Sequence, residues 1–195
     1  KDYIVGTPGT STEALSVASG VDDTEHNWKY NASQFEYSDK KIYVEAIEAT
    51  TSKKIVDSPV TGELYDIGYA DKDLTQEQST QLNGKVALID RGIVNFDEKI
   101  KRAAEAGAIG VVVVSGKGQS VISMGTVVHY DIPAIMINYD VGSEIKTALQ
   151  STNVTIRFLA DQMIEKKENI DRISTFSSRG PRSMDGFLKP EITAP

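Results

Sequence analysis

Histidine and carboxylate side chains are where chemistry would have to start in this sequence, because it contains no cysteine. Disulfides and thiolate metal sites are therefore excluded. The two histidines, His26 and His129, stand far apart in the chain. A histidine acting as a general base needs a nucleophile and an oxyanion site assembled beside it, and the residues around these two supply neither. Both read as ordinary surface or loop histidines. Asp22, Asp23 and Glu25, and separately Asp71 and Asp73, offer the hard oxygens that calcium takes, but neither group has the D-x-D-x-D-G spacing of a calcium loop. They read as solvated polar loops, and a hydrolase in its own right finds little support in them.

Any site must be positioned by the elements around it. At 195 residues, a prior of roughly 150 residues per domain gives one domain, or one domain with appendages. Apolar residues make up 39%, enough for a core and against global disorder. A net charge of -7 disfavours nucleic acid and anionic membrane, both of which demand clustered Lys and Arg. The longest apolar run, Val111 to Val114 with Ile109 just before it, is far short of the ~20 residues of a membrane helix, so no membrane insertion is expected. Lys1 opens within a strand-like run with no signal peptide ahead of it, as in a piece cut from a longer chain.

Gly6, Pro8 and Gly9 mark a turn, and Leu15 to Ala18 read as a buried strand. Residues 21–39 are polar and read as a loop; Lys41 to Ala49 alternate as one strand. Asp71 to Asn83 lack an apolar face, as in a long loop or a frayed helix. Val86 to Ile89 form a strand closed by Arg91-Gly92. Asn95 caps a helix with Glu98 three residues on, and Phe96, Ile100, Ala103, Ala104 and Ala106 give it an apolar stripe. Gly107 suits the left-handed residue that ends it. IGVVVVS is a strand apolar on both faces, and IPAIMIN is another. Asp140 is expected to cap a second helix over 141–150, before a strand over 154–159. Residues 161–171 are charged and linker-like.

The stretch GKVALIDRGIVNFDEKIKRAAEAGAIGVVVVS closely resembles the central signature of protease-associated (PA) domains, and IPAIMINYDVGSEIKTAL resembles their second. The ends carry a separate resemblance. VGTPGTSTEALSVAS looks like the subtilase strand that follows the oxyanion-hole asparagine, and TFSSRGPRSMDGFLKPEITAP looks like the segment leading toward the catalytic serine. The resemblance implies a PA domain inserted in a secreted bacterial subtilisin-like serine protease: a mixed α/β (α+β) fold, an open β-barrel-like sheet flanked by helices, with short subtilase arms at both ends. The implied boundaries are a subtilase strand segment over 1–20, a PA domain over 21–160 with its core at 40–160, and a linker and subtilase segment over 161–195. The sequons Asn31-Ala32-Ser33 and Asn153-Val154-Thr155 mean nothing in a bacterial protein.

On this resemblance the chain begins after the oxyanion asparagine and ends before the serine, so it carries no catalytic residues and should be inactive alone. Arg91, Gly92, Phe96, Lys99, Gly107 and Pro133 form the PA signature. Its reading is scaffolding: Gly92 permits the turn, Phe96 packs under the helix and Arg91 pairs with a nearby carboxylate. Gly6 and Pro8 match one wall of the subtilase specificity pocket and Phe176 matches an aromatic of the cleft, roles that need the intact protease; Arg179 and Gly180 stand likewise. The exposed loops 50–83 and 116–131 are the better binding candidates. No cofactor or metal is expected of the chain; calcium is left open for the parent. Expected partners are the rest of the catalytic domain, protein or peptide substrates and a second copy in a homodimer. The location implied is extracellular, secreted or cell-wall associated. The alternative is a stand-alone PA binding or sorting module. The insertion model also requires Ser19 and Ser174 to lie within roughly 5–15 Å, the span of a few residues. Without the catalytic core against them the arms should leave Leu15, Val17 and Phe176 exposed, and should pair as an antiparallel ribbon, dock on a second copy, or be poorly ordered.

Overall fold

The structure is a computed structural model that describes residues 11, 13–24, 28–57, 59–174, 177 and 190–195. In chain order the described elements are β1 (Val17–Ser19), β2 (Lys29–Tyr37), β3 (Lys40–Glu45), β4 (Ile47–Glu48), β5 (Thr61–Asp66), α1 (Gln76–Leu82), β6 (Val86–Asp90) and α2 (Phe96–Glu105). They continue with β7 (Gly110–Val114), β8 (Ala134–Ile137), α3 (Tyr139–Leu149), β9 (Val154–Glu165), a 3-10 turn (Lys167–Asn169) and β10 (Ile192–Ala194). The contacts divide the chain into two units: Tyr30–Ile164, and Lys1–Lys29 with Glu165–Pro195.

The larger unit is built on one sheet with the strand order β3-β2-β9-β5-β6-β7-β8-β4. β5 to β8 run parallel, while β2 with β3, β5 with β9 and β4 with β8 are antiparallel. The two ends of this order are consecutive in the chain. Only Ala46 separates β3 from β4; its N–H donates to Asn31 on β2 at 2.8 Å, and Ala49 donates to Ala134 on β8 at 2.9 Å. Residues 40–49 thus bend from one neighbour to the other and join the two ends of the strand order through the chain, an open barrel. The single strand expected over 41–49 is therefore two, broken where a small buried residue, Ala46 at 2% exposure, lets the backbone turn.

The parallel strands are apolar on both faces because both are covered. Val86, Leu88, Val112, Val114, Ile135 and Ile137 join the inner cluster with Phe35, Phe158 and Ile145 of α3. The alternate residues, including Ala87, Ile89, Val111, Val113 and Met136, pack against Ile100 and Ala103 of α2 and against Leu82 and Met124. Asn95 caps α2 as expected, its side chain accepting from Glu98 N at 2.8 Å. Gly107 follows α2 with φ 82, the left-handed conformation the sequence required of it.

Several other local expectations are corrected or decided by the structure. The cap of α3 is Asn138, whose Oδ1 accepts from Val141 N at 2.9 Å; Asp140 lies inside the first turn, where its charge suits the helix dipole. Residues 29–37 are not loop but strand β2, with Phe35 fully buried. Its alternation is hidden because polar Ser33 and Gln34 are buried too. The linker-like stretch is strand to Glu165 and then a 3-10 turn. Of the two readings of the polar run before Asn83, loop or helix, the structure holds the helix, α1, started by a reciprocal Thr75–Gln78 capping box rather than by an apolar face.

In the smaller unit β1 pairs with β10 in parallel, and Gly20 bridges Ile173 antiparallel. The anticipated antiparallel ribbon is thus confined to one bridge. In the strand read over Leu15 to Ala18, Ala18 is buried while Leu15 and Val17 are 65% and 52% exposed, as expected of arms without the catalytic core against them. Ser19 and Ser174 are in direct contact: their hydroxyls lie 2.9 Å apart and Ser174 N donates to Ser19 O at 2.9 Å. Ser177 Oγ accepts from Ser19 N at 3.0 Å. Trp28 donates its indole N–H to Asp23 O at 3.0 Å, and its ring is flanked by the ammonium groups of Lys29 and Lys167, 5.1 and 4.8 Å from the centroid. Such contacts add roughly 0.5–1 kcal/mol each at exposed sites.

Candidate functional site: a rim at the ends of the parallel strands

Ligands of open α/β sheets gather outside the C-terminal ends of parallel strands, and here three loops meet at that edge. The first leaves β5. Gly68 donates to Asp66 Oδ1 at 2.9 Å and its carbonyl accepts from Asp90 N at 2.8 Å, so the loop is tied to both strand ends. Ala70 then takes φ 48, a left-handed conformation that costs a residue with a Cβ of order 1 kcal/mol or more. Ala70 is buried, whereas Tyr69 beside it stays 46% exposed.

α2 holds that loop with two cations. The Lys99 ammonium donates to the Tyr69 carbonyl and Arg102 Nη1 donates to the Ala70 carbonyl at 2.7 Å. Lys99 is fully buried. Desolvation pushes its pKa below the ordinary lysine value, an effect that the fields of Asp71 and Asp90 oppose and that of Arg102 reinforces. Arg102 also pairs with Glu98 at 3.1 Å and Asp73 at 3.4 Å.

The second loop leaves β6 through Arg91-Gly92. Arg91 N donates to Val114 O at 2.9 Å, fastening the turn to β7. Gly92 has φ 118, and a Cβ there would come within 3.8 Å of the Tyr69 ring, so the first two loops touch. Ile93 has φ 68 and is 71% exposed. A β-branched residue in the left-handed region is an outlier that the surroundings must impose, and such outliers cluster at functional sites.

The third loop, 115–133, is held by the opposite charge. The Asp97 carboxylate, in the first turn of α2, accepts from Val127 N at 3.2 Å and Val128 N at 3.1 Å, and Tyr130 Oη donates to Asp97 O at 2.9 Å. Thr126 is pinned by Thr51 at 2.7 Å and Thr50 at 2.9 Å. Val127 and Val128 are 87% and 49% exposed. Behind the rim, Lys146 of α3 bridges Asp90 at 2.6 Å and Asp66 at 3.2 Å. Burial would lower the Lys146 pKa, but the hydrogen bonds and fields of the two carboxylates outweigh it and hold it above the ordinary value.

Of the residues singled out in the sequence, Arg91, Gly92, Phe96 and Lys99 converge here. Gly107 lies at the other end of α2, and Pro133 precedes β8, its carbonyl accepting from Val111 N at 2.9 Å. Arg91 has no carboxylate partner among the described residues; its guanidinium instead lies 5.9 Å from the Phe96 ring centroid. Gly6, Pro8, Phe176, His26, Arg179 and Gly180 fall outside the described residues. His129 is exposed in the third loop. Asp73, weighed as a calcium ligand, faces Arg102, and no cluster of three or more metal-ligating side chains occurs among the described residues. No helix among them is long and apolar enough to cross a membrane. Sequence reasoning missed Tyr69, Ile93, Asp97 and Arg102 as site residues, although Tyr69, Val127 and Val128 do fall in the two exposed loops it favoured. The rim holds no nucleophile–base pair; what it offers is apolar side chains on fixed backbone.

Residues 58–145 match the family model of the PA domain. The whole chain is 30% identical over 196 residues to a C5a peptidase of Streptococcus pyogenes serotype M1, of which it covers 15%. It is likewise 30% identical over 198 residues to the minor extracellular protease Vpr of Bacillus subtilis, with 99% of the chain and 22% of that protein aligned. The chain therefore spans only a small part of the curated relatives it matches. Among solved structures, a zinc aminopeptidase from Bacillus subtilis superposes with a TM-score of 0.51 at 22% identity, over 70% of this chain and 34% of that one, a likeness of fold alone.

Proposed function

Residues 58–145 are a PA domain of the kind carried by subtilisin-like proteases, and from that premise we propose that the chain is the accessory module of an extracellular subtilisin-like endopeptidase and recruits its protein substrates through the rim described above. The observation that carries this reading is the pair Tyr69 and Ile93. Both are large, apolar and exposed, each at a left-handed non-glycine residue or next to one. Folding bears a backbone cost there to keep apolar groups in water, which makes sense where a partner's apolar segment covers them. The partner is an extended, apolar stretch of an unfolded protein, whose side chains would cover Tyr69 and Ile93; the relatives that this chain matches along nearly its whole length are named as a peptidase and a protease. The neighbour of the module is the rest of the protease, where the nucleophile, base and oxyanion site reside.

The test is made in the intact protease, comparing the parent, a version lacking residues 20–173 and the pair Tyr69→Ala with Ile93→Ala, on casein and on a short chromogenic peptide. Anchors of this kind cost more than ~1 kcal/mol each when truncated, so the double variant should raise KM for casein about tenfold or more with peptide turnover unchanged. Equal losses on both substrates would show a structural role and overturn recruitment. The isolated chain should give no inhibitor-sensitive turnover of either substrate.

A further inference from the structure

Lys99 is the only charged residue among the described ones that is buried. Taking an ammonium out of water is costly, and what this one gains directly is the carbonyl of Tyr69 and the face of the Tyr69 ring, 5.9 Å from its centroid, with Asp71 and Asp90 acting on it only through space. An apolar side chain of similar length could fill the same place beneath the loop without that cost. The ammonium does one thing a methionine could not: together with Arg102, one helical turn on, it fixes two consecutive carbonyls, Tyr69 and Ala70. Ala70 is left-handed at that point, and the outcome of the turn is that Ala70 goes in and Tyr69 stays out.

We propose that Lys99 is a positioning residue for recognition: with Arg102 it clamps the Tyr69 and Ala70 carbonyls in a turn the loop would not hold alone, so that the Tyr69 ring meets a protein substrate already ordered. This rests on the reading of Tyr69 as a docking residue. Its physical basis is preorganisation, in which the loss of loop freedom occurs on folding instead of on binding.

The test uses the whole 195-residue chain, with β-casein as the probe and two separate readouts, amide hydrogen exchange and β-casein affinity. Lys99→Met should speed exchange across 69–73 about tenfold or more, leave exchange at 127–130 as it was, and weaken β-casein binding about tenfold. Tyr69→Ala keeps the carbonyl but loses the ring beneath the ammonium, so it should weaken binding by a similar factor while speeding exchange at 69–73 less than Lys99→Met does. Lys99→Met with parental exchange at 69–73 and parental affinity overturns the positioning role. Parental affinity in Tyr69→Ala overturns the docking reading instead. If Lys99→Met does not fold, Arg102→Met decides: faster exchange confined to 69–73 upholds the clamp, and unchanged exchange overturns it.

Discussion

The loop after β5 and the loop before β8 rim the same edge and are fastened by the same helix, yet by opposite means. At the first, α2 gives hydrogen bonds from cations to carbonyls, Lys99 to Tyr69 and Arg102 to Ala70. At the second, it takes them from amides into a carboxylate, Val127 and Val128 to Asp97. The difference in burial matters more than the difference in sign. Asp97 makes its contacts near solvent, where water competes for every partner, so its net contribution is that of an ordinary charged hydrogen bond, ~1.5–3 kcal/mol at most. Lys99 works in the interior, where water cannot substitute and desolvation is the larger effect. Water can take over the partners of one clamp when it is lost; it cannot reach those of the other, whose loss is felt as freedom in the loop it held.

The largest expected effect removes the support that both loops share. Gly107→Val places a β-branched residue at φ 82, and its Cβ would collide with the Asn83 side chain and lie 3.5 Å from Asn83 Cα. Strain of this sort costs about 1–3 kcal/mol, with the collision added. Urea unfolding should show it, and exchange should rise in both loops; a loss under ~0.5 kcal/mol would mean that the end of α2 is not what holds them. Asp97→Ala should cost about 1 kcal/mol and speed exchange at Val127 and Val128 while 69–73 stay protected. Loosening of both loops together would break the distinction between the clamps.

A smaller effect separates them by pH. The folded pKa of Lys99 is lowered by desolvation, so the unfolded chain binds its proton more tightly. The penalty is present in full below the folded value and is relieved as pH rises toward the ordinary lysine value of ~10.4. The melting temperature of the parent, relative to Lys99→Met, should climb over that window. The smallest effect runs the other way. The Tyr37 pKa is raised to about 12 by burial and by its hydrogen bond to Glu144. Its contribution is present below pH ~10 and is lost as pH climbs from there toward 12. Tyrosinate absorbance should show a late step that Tyr37→Phe removes; its survival would assign the step to another tyrosine.

How much of this could be read from residues alone followed from what each segment buries. β7 is Gly110 to Val114 with all five residues buried, and a continuous β-branched run has few other meanings. α2 announced itself by Asn95 and the stripe through Ile100 and Ala103. β2 did not, because Ser33 and Gln34 sit inside without advertising it, and α1 did not, because only Leu82 of it is buried. The candidate site was half legible. Arg91-Gly92 and Phe96 lay in a recognisable pattern, but the left-handed state of Ala70 and Ile93 is imposed by tertiary contacts and has no marker in residues that ordinarily avoid it. The burial of Lys99 was equally invisible, since a lysine in a helix with an apolar stripe reads as solvated.

The bend at Ala46 carries one more consequence. Residues 40–45 pair with β2 and residues 47–48 with β8, so β3 and β4 stand at the two ends of the strand order and each keeps one edge beyond its paired neighbour. Many peptide-binding domains capture an extended guest by letting it become one more strand, with main-chain hydrogen bonds supplying affinity regardless of sequence. β3 is long enough to invite that, but it opens with Lys40 and Lys41, both exposed, and charged side chains of this kind, lysine above all, discourage the extension of a sheet at its margin. A guest is then directed to the loops, to be gripped there through its side chains, so what the domain accepts should depend on the guest's apolar residues.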